Sequence, residues 1–343
     1  MMSRSSEMVE SIRSGMPDSV LFAAADICRG CGSSSESVLF SVDARFSVAD
    51  CERCGLVATR PVLSSEEMAA YYPAAYYGRR NRRFNPLFER LIPWFRDRRA
   101  RSIERYVRRG RILDVGCGRG FLPAIMQEHG WDAHGVELSP MAAEHATREL
   151  KIPIFVGDFL ASPHPAGSFD VLVFWHVLEH LERPVSSLRK AREILKPGGL
   201  LLVAVPNFES LQARFSRQHW FHLDVPRHYH HFRLGVLRRM LEENGFSVIG
   251  VRHFNLEQNP YGWIQSLLNR IGFQNNFLYD LLKNRSARTS GHPVREHPIQ
   301  FLATLLALVF VLPLSLVLFL VEAAIQRGGT VEVYARAEKL ASS

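Results

Sequence analysis

Between residues 111 and 206 the chain alternates short apolar runs with segments in which apolar positions recur at helical spacing. The apolar runs are ILDV (112–115), DAHGVEL (132–138), IPIFVGD (152–158), FDVLVFW (169–175) and LLLVAVP (200–206). Buried runs of this length, each followed by a helix, predict a parallel sheet with helices on both faces. Runs at 246–251 and 330–337 add two strands, so the pattern predicts an α/β fold.

A much longer apolar run, FLATLLALVFVLPLSLVLFLV (301–321), lies between the last two predicted strands and contains no charged residue. Its length suits a membrane-spanning helix. Pro313 divides it into two pieces that are each too short to span alone. We therefore expect a helical hairpin that enters one leaflet, preceded by an interfacial helix at 259–282. A soluble dimer interface or a buried core helix is the alternative.

The composition is that of a folded protein, with 47% hydrophobic and 22% charged residues. The net charge is +8, and 13 arginines lie between residues 79 and 111, where a helix with one apolar and one basic face is predicted. This excess predicts an acidic partner, either nucleic acid or an anionic membrane surface. Basic residues also flank the apolar run, which favours the membrane.

The first 17 residues lack an apolar segment, so no secretory signal is expected.

These patterns divide the chain into six segments. We expect a flexible leader (1–25), a cysteine module (26–60), a basic helical region (61–110), an α/β core (111–257), an amphipathic and membrane-associating insertion (258–328), and a final core strand with a tail (329–343).

The first strand of the core leads directly into the glycine-rich turn Gly116-Cys117-Gly118-Arg119-Gly120 and then into a helix. Glycine lets the backbone approach a ligand closely, and a helix N-terminus offers free N–H groups. Three acids stand where ligands bind in such sheets, at the carboxyl ends of strands. They are Asp114, Glu137 and Asp158.

This spacing, with GxGxG in place of the GxGxxG of dinucleotide folds, resembles the class I S-adenosylmethionine-dependent methyltransferases. The resemblance covers residues 111–206, including DVGCGRG, FDVLVFWHVLEH and LKPGGLLLVAVP. It implies a Rossmann-like seven-stranded sheet in which the sixth and seventh strands are neighbours and the seventh is antiparallel. It also implies a cofactor pocket of ten residues. Asp114, Gly116 and Gly118 contact the methionine part, and Cys117, at a variable position of the motif, is a small packing residue. Glu137 and Leu138 lie at the ribose, Asp158 and Phe159 at the adenine, and His176 and Val177 close the pocket.

Methyl transfer needs an aligned nucleophile and often a base, and two histidine clusters could provide the base. The first is His176, Glu179 and His180. Here the chain resembles ubiquinone-biosynthesis O-methyltransferases, whose Glu-x-x-Glu-His arrangement is associated with a divalent ion. The chain carries His176 at the first position, so an ion is not implied, and these residues could simply fix the loop.

The second cluster lies within HWFHLDVPRHYHH (219–231), which contains five histidines. It follows the fifth strand, again on the ligand-binding edge of the sheet. We expect Arg227, His228 and His231 to line the acceptor pocket, with Asp224 either orienting a histidine or capping a helix. A polar, surface-exposed turn is the alternative.

Four cysteines form two pairs, Cys28-x-x-Cys31 and Cys51-x-x-Cys54, with the spacing of a structural zinc site. Four thiolates complete a tetrahedron, so the zinc would have no open position for catalysis. A ribbon that holds no metal is the alternative. Together with the following PVLSSEEMAAYYP, the module resembles the N-terminal zinc-binding part of sugar C-methyltransferases.

The sequence therefore predicts a methyltransferase that uses S-adenosylmethionine and structural zinc. We expect a lipid, quinone-like or lipid-linked glycan acceptor, O-methylation, and a monotopic location on the cytoplasmic side of the inner membrane, with a cytoplasmic location as the alternative.

Three alternative functions remain open: an RNA methyltransferase, a sugar or small-molecule methyltransferase without a membrane role, and a non-catalytic cofactor-binding scaffold. No aromatic-rich RNA-binding motif is present, so nucleic acid is not the expected partner, and the oligomeric state is open.

Overall fold

The computed structural model describes residues 27–73, 89–283 and 293–338. The predicted leader (1–25) and the arginines between residues 79 and 88 lie outside these ranges. The described strands are β1 (Glu36–Ser41), β2 (Ser47–Cys51), β3 (Val57–Arg60), β4 (Arg111–Val115), β5 (Asp132–Glu137), β6 (Ile154–Val156), β7 (Phe169–Trp175), β8 (Leu195–Pro206), β9 (His230–His231), β10 (Phe246–Arg252) and β11 (Thr330–Ala337).

Seven of these strands form one mixed sheet in the order β10-β11-β8-β7-β4-β5-β6. The pairs β4–β5, β4–β7, β5–β6 and β7–β8 are parallel. β11 is antiparallel to both β8 and β10. The predicted Rossmann-like fold is confirmed, with the sixth and seventh core strands as antiparallel neighbours.

The described α-helices alternate with the strands of the core and then follow one another in the insertion. They are α1 (Ser65–Ala69), α2 (Ile92–Glu104), α3 (Phe121–Glu128), α4 (Pro140–Arg148), α5 (Pro184–Ile194), α6 (Leu211–Ser216), α7 (Leu234–Glu243), α8 (Asn259–Arg270), α9 (Phe277–Leu282), α10 (Pro293–Glu296) and α11 (Pro298–Ala324). Pro93 lies in the first turn of α2, where a missing N–H costs nothing, so it starts the helix and does not interrupt it.

Each face of the large sheet carries its own apolar core. One core joins Leu172 and Phe174 of β7 to α5 and α7. The other joins Val171 and Val173 of the same strand to α2 and α3. Alternate residues of β7 therefore enter opposite cores, as the period of two in a strand requires. This burial of both faces explains why the core strands read as continuous apolar runs.

The predicted hairpin at 301–321 is wrong, because the segment forms one continuous helix, α11, with Pro313 inside it. A proline removes one helical hydrogen bond. Ending the helix there would leave about four unpaired backbone groups at each new terminus, within an apolar stretch. At about 1.5 Å per residue the helix is about 40 Å long. By length and composition it is able to cross a membrane.

A second, four-stranded sheet has the order β1-β2-β3-β9. The first three strands belong to the cysteine module, whereas β9 belongs to the histidine-rich stretch of the core. β3 and β9 pair through Val57 with His231 and Ala58 with His230. Arg233 strengthens this junction by binding both carboxylate oxygens of Asp50, at 2.9 and 2.7 Å. The module is therefore joined to the core by main-chain pairing.

Candidate active site

The glycine-rich turn follows β4, and its glycines are required by the backbone conformation and, at Gly116, also by the space around it. Gly116 and Gly118 both have positive φ angles, of 69° and 54°. A Cβ on Gly116 would lie 2.4 Å from a methyl group of Val177, so only glycine fits beneath this side chain. Glycine is also required at Gly135 of β5, because a Cβ there would lie 2.6 Å from Sγ of Cys117. The turn after β4 and the loop after β7, both expected to bind cofactor, are thus in contact.

Asp114 is buried at the carboxyl end of β4. Burial raises the pKa of its carboxyl group to about 7, although the positive charges of Arg99 and Arg96 lower it. A buried carboxylate with a raised pKa gains by meeting a cationic group, because the charged form is otherwise poorly solvated. The sulfonium and amino groups of S-adenosylmethionine are such cations.

Glu137 ends β5, and its carboxylate is held by two backbone N–H groups. The amides of Gly118 and Ser139 donate to it at 2.8 and 2.9 Å. Burial raises the pKa of Glu137, and these amide donors lower it in part. The next residue, Leu138, is 72% exposed beside this carboxylate. The two side chains leave an open surface at the edge of the sheet, where a ribose could bind.

Asp158 and Phe159 follow β6 and differ in their surroundings. Asp158 is exposed, and its carboxylate accepts from the amide of Leu160 at 2.9 Å. The ring of Phe159 is buried and packs edge-on against Phe174 at 5.5 Å. Any contact of Phe159 with an adenine would therefore be made by its backbone and not by its ring.

His176 follows β7 in the left-handed region, with a φ of 53°. Its Nδ1 lies 3.1 Å from the carboxylate of Glu179, which is 1% exposed. Positive φ at a residue other than glycine is uncommon and concentrates at functional sites. His176 and Val177 thus link the cofactor edge to the histidines behind it.

The histidines expected to line the acceptor pocket form one buried cluster. Ring centroids are 4.5 Å apart for His180 and His228, 6.2 Å for His228 and His231, and 6.4 Å for His176 and His222. His222, His228 and His231 are all buried. The alternative of a surface-exposed turn is therefore wrong.

Burial keeps the clustered imidazoles neutral. It lowers the pKa of His222 and His231 to about 3 and that of His228 well below its usual value, and neighbouring histidines lower them further. The positive charge of Arg227 is balanced within the protein, because its guanidinium binds the carboxylate of Asp224. Against the effect of burial, the positive charge of Arg227 holds the pKa of Asp224 well below its usual range.

Four buried polar atoms of the cluster have no hydrogen-bond partner in the described part of the chain. They are Nε2 of His176, Oε2 of Glu179, Nε2 of His222 and Nδ1 of His228. Ligand atoms of Glu179, His180 and His228 lie within 4.8 Å of one another. Two imidazoles and a carboxylate suit a divalent transition metal. The same unpaired atoms could equally accept a proton from an acceptor hydroxyl or bind that hydroxyl.

Two residues of this site were not foreseen from the sequence. The hydroxyl of Thr59, in β3, lies 3.0 Å from Nε2 of His231. The hydroxyl of Tyr72 lies 3.1 Å from Nδ1 of His180, which also contacts the carbonyl of Arg227 at 3.0 Å. Both come from segments more than 100 residues away, and no local pattern marks them.

The four paired cysteines meet as their spacing predicts. Sγ of Cys28 lies 3.5 Å from Sγ of Cys54, and Sγ of Cys31 lies 3.6 Å from Sγ of Cys51. Tetrahedral zinc with bonds of about 2.3 Å needs sulfur atoms about 3.8 Å apart. The amide of Gly30 donates to Sγ of Cys28 at 3.4 Å, as in a tight knuckle. The residues therefore fit a four-thiolate metal site.

Comparison with known proteins matches residues 77–251 to a family model described as "Methyltransferase domain". A protein of Mycolicibacterium smegmatis named probable S-adenosylmethionine-dependent methyltransferase is 30% identical over 179 residues, which are 48% of this chain and 67% of that protein. A ubiquinone biosynthesis O-methyltransferase of Caulobacter sp. is 38% identical over 105 residues, which are 28% of this chain.

The chain covers 41% of the length of the Caulobacter enzyme, so that similarity is limited to part of each protein. A solved S-adenosylmethionine-dependent methyltransferase from Archaeoglobus fulgidus is similar with a TM-score of 0.45 and 20% identity, covering 78% of this chain and 99% of that one. The family match extends over half of this chain and contains the glycine-rich turn, the three strand-end acids and the histidine cluster. The chain therefore belongs to the methyltransferase domain family and is a class I S-adenosylmethionine-dependent methyltransferase.

Proposed function

We propose that the protein methylates a hydroxyl group of a lipid, quinone-like or lipid-linked glycan acceptor at the cytoplasmic face of the inner membrane. The observation that carries the proposal is the distribution of side chains around α11. Its exposed face is apolar throughout, including Leu306, Phe310 and Val317. Its buried stripe contains polar residues, namely Thr304, Ser315 and Glu322.

This distribution is the reverse of that in a helix on the surface of a water-soluble protein, which buries its apolar face. In lipid, polar side chains turn toward the protein interior and apolar ones face outward. The buried Glu322 fits this description, because the indole of Trp263 donates to its carboxylate at 2.8 Å and the amide of Gln212 donates at 3.1 Å. A bilayer is the simplest cover for so large an apolar surface.

The connections of α11 favour a helix that lies in the interface and does not cross the membrane. α11 packs against α8 through Val311 and Phe319, and α8 follows directly on the core sheet. At its other end α11 leads into β11, which lies inside the same sheet. Both ends of the insertion are thus held on one side, as a monotopic protein requires.

The histidine cluster supports O-methylation. When bound, S-adenosylmethionine supplies an electrophilic methyl group. A neutral imidazole can take the proton of an acceptor hydroxyl as its oxygen attacks that methyl group, and His228 is buried, neutral and has an unpaired Nδ1. Some of the relatives with similar sequences are named ubiquinone biosynthesis O-methyltransferases, which agrees with a hydroxyl on an apolar acceptor.

We further propose that the cysteine module holds structural zinc. Burial raises the pKa of Cys28 to about 11, so this thiol would stay protonated without a nearby cation. All four thiols converge, which leaves no open coordination position for substrate. The role of the metal would be to fix β3 where it pairs with β9, next to His231.

The proposal is tested by mass spectrometry of lipids and glycolipids from cells with and without the gene. We expect one lipid species to become lighter by one methylene in the deletion strain. Wild-type protein should restore it, and His228→Ala should not. An unchanged lipid profile with a lost RNA or sugar methyl group would overturn the proposal.

The membrane association is tested separately by vesicle flotation. Replacing Leu306 and Phe310 by arginine should abolish flotation, because a charged residue in the apolar region of a bilayer costs about 2 kcal/mol or more. The matched control replaces Val38 and Ile249, which are exposed apolar residues outside α11. Equal flotation of both variants would contradict the role given to α11.

A further inference from the structure

A groove of about 450 Å³ lies between α2 and the end of β10, and the cofactor and histidine sites do not account for it. We call it the arginine groove. Its walls carry Arg98, Arg101 and Arg105 from α2 and Arg252 and His253 from the end of β10. The three arginines of α2 are spaced at i, i+3 and i+7, so one stripe of the helix faces the groove. The groove therefore concentrates positive charge on two facing elements.

Most of this charge is not neutralised within the described residues. Arg101 has an ion pair, with Asp97. Arg98 stacks on Trp94 and Arg252 on Tyr334, at 5.1 and 4.9 Å, contacts that leave their N–H groups available. For Arg98, Arg105 and Arg252 no carboxylate of the described chain lies within ion-pair distance.

The two acids of the groove already have partners. Glu257 accepts from Arg96 at 2.7 Å and from Arg99 at 2.9 Å. Glu332 accepts from Asn255 and Tyr334, at 3.0 and 2.8 Å. Glu257 is therefore not left to balance the arginines on the walls. Glu332 lies opposite Arg252 in the pairing of β10 with β11 and interacts with its charge, but burial raises the pKa of Glu332, so it offsets that charge only in part. Two polar atoms at the groove also lack partners although their residues are more than nine-tenths buried: Nε of Arg99 and Nδ1 of His253.

One end of the groove adjoins the apolar surface of α11. Ala323 and Gln326, at the end of that helix, line the groove together with Phe254. Phe254 also packs on Phe319 of α11, with ring centroids 4.8 Å apart. The exposed Leu320 continues the apolar surface away from the arginines. A ligand that fills both parts must be anionic at one end and apolar at the other.

The opposite side of the groove approaches the cofactor site. The guanidinium of Arg99 lies 3.4 Å above the ring of Trp175, the residue before His176. The charge of Arg99 also acts on the buried carboxyl group of Asp114. An anion in the groove would therefore lie close to the edge of the sheet where methyl transfer takes place.

We infer that the arginine groove binds the phosphate ester of an amphipathic lipid whose apolar chain lies against α11. Arginine is suited to this role because its planar N–H groups bind phosphate oxygens in pairs. The inference rests on the proposed function in taking a lipid as the partner, but it names a separate site and a separate chemical group. The phosphate could belong to the acceptor itself or to a phospholipid of the surrounding membrane.

The test uses the full chain and two soluble probes, dihexanoyl phosphatidic acid and dihexanoyl phosphatidylcholine, below their micellar concentrations. We expect the chain to bind the phosphatidic acid and to prefer it over the zwitterionic lipid. Replacing Arg98, Arg105 and Arg252 together by glutamine should weaken this binding about a hundredfold, since each basic residue near an anionic lipid contributes about 1 kcal/mol, or about fivefold.

The matched control replaces three exposed arginines outside the groove, Arg53, Arg148 and Arg189, by glutamine. It has the same net charge as the groove variant and should bind as wild type. Affinity for S-adenosylmethionine should be unchanged in both variants, which verifies that they fold. Equal loss in both variants would overturn the inference, as would wild-type binding by the groove variant.

Two further results distinguish the groove site from the membrane role of α11 and identify the source of the phosphate. If wild type binds soluble phosphatidic acid through the groove but does not float with vesicles, the groove site stands and the membrane role of α11 fails. Incubation with labelled S-adenosylmethionine and a bacterial lipid extract then identifies the source of the phosphate. Label in a phosphate-bearing lipid, lost in the groove variant, identifies the acceptor, whereas binding without such label identifies a membrane phospholipid.

Discussion

The predicted cofactor side and the proposed acceptor side of this enzyme are built in different ways. The cofactor side comes from one stretch of chain in which each acid stands at the end of its own strand, as with Asp114 and Glu137. The acceptor side is assembled from three distant segments that contribute Thr59, His180 and His231. The cofactor side is therefore set by local chain geometry, whereas the acceptor side depends on packing between distant segments.

Burial shifts the pKa values of the two sides in opposite directions. On the cofactor side it raises the pKa of Asp114 to about 7. On the acceptor side it lowers the pKa of His231 to about 3. Both groups are therefore held nearer to neutrality than in water, as desolvation requires. The carboxyl group on the cofactor side is therefore stabilised in its charged form by a cationic ligand, and the buried imidazoles on the acceptor side are neutral at physiological pH.

The largest expected effect is on the acceptor side. His228→Ala should lower the rate of methyl transfer by about 10²- to 10⁴-fold, the usual contribution of a general base, while affinity for S-adenosylmethionine changes little. Isothermal titration and a methyl-transfer assay measure the two quantities. His219→Ala, in the same stretch but outside the buried cluster, is the control. A parallel loss of cofactor affinity in His228→Ala would show that the two sides are not separable.

The converse change is Asp114→Asn, which removes the carboxylate but keeps its shape. We expect affinity for S-adenosylmethionine to fall about 30- to 100-fold, since a buried charge-assisted contact contributes about 2–3 kcal/mol. Thermal unfolding without cofactor should be unaffected or shifted upward, because the wild-type carboxyl is poorly solvated. Unchanged affinity in this variant would remove Asp114 from the cofactor site.

A smaller effect is expected from the cysteine module, which pairs with the acceptor side through β3 and β9. Cys51→Ser should lower zinc content and reduce methyl transfer about tenfold, because β3 holds β9 and His231 in place. Affinity for S-adenosylmethionine should stay within about twofold of wild type. Ser37→Ala, a change at an exposed position of β1 in the same module, is the control. Less than half an equivalent of zinc in the wild-type chain would contradict the metal assignment.

The same comparison explains what the sequence could predict. The seven core strands and the edge that carries Asp114 and Glu137 follow from strand periodicity and glycine spacing, which are local. The burial of His228, and the contact of Thr59 with His231, depend on the two-residue pairing of β3 with β9. A pairing so short leaves no periodic signal.

The insertion shows the same limit. Its position between the last two strands was predictable, but the predicted hairpin is wrong, because Pro313 removes one helical hydrogen bond whereas two new helix ends would leave several backbone groups unpaired. The arginine groove also escaped prediction. The spacing of Arg98, Arg101 and Arg105 marks a basic helix face, but only the fold places Arg252 opposite it.

The smallest predicted effect is a pH dependence confined to the cofactor side. The pKa of Asp114 is raised to about 7, so the carboxyl group is mostly protonated below that pH and mostly ionised above it. S-adenosylmethionine is cationic and should bind the ionised form, so its affinity should rise by up to about tenfold between about pH 6 and pH 8. Titrations at intervals across this range measure the change. Asp114→Asn, which has no proton to lose, should give a flat profile. A flat profile for wild type, or an equal slope in the variant, would mean that the group that titrates is not Asp114, and the electrostatic contrast between the two sides would then need another origin.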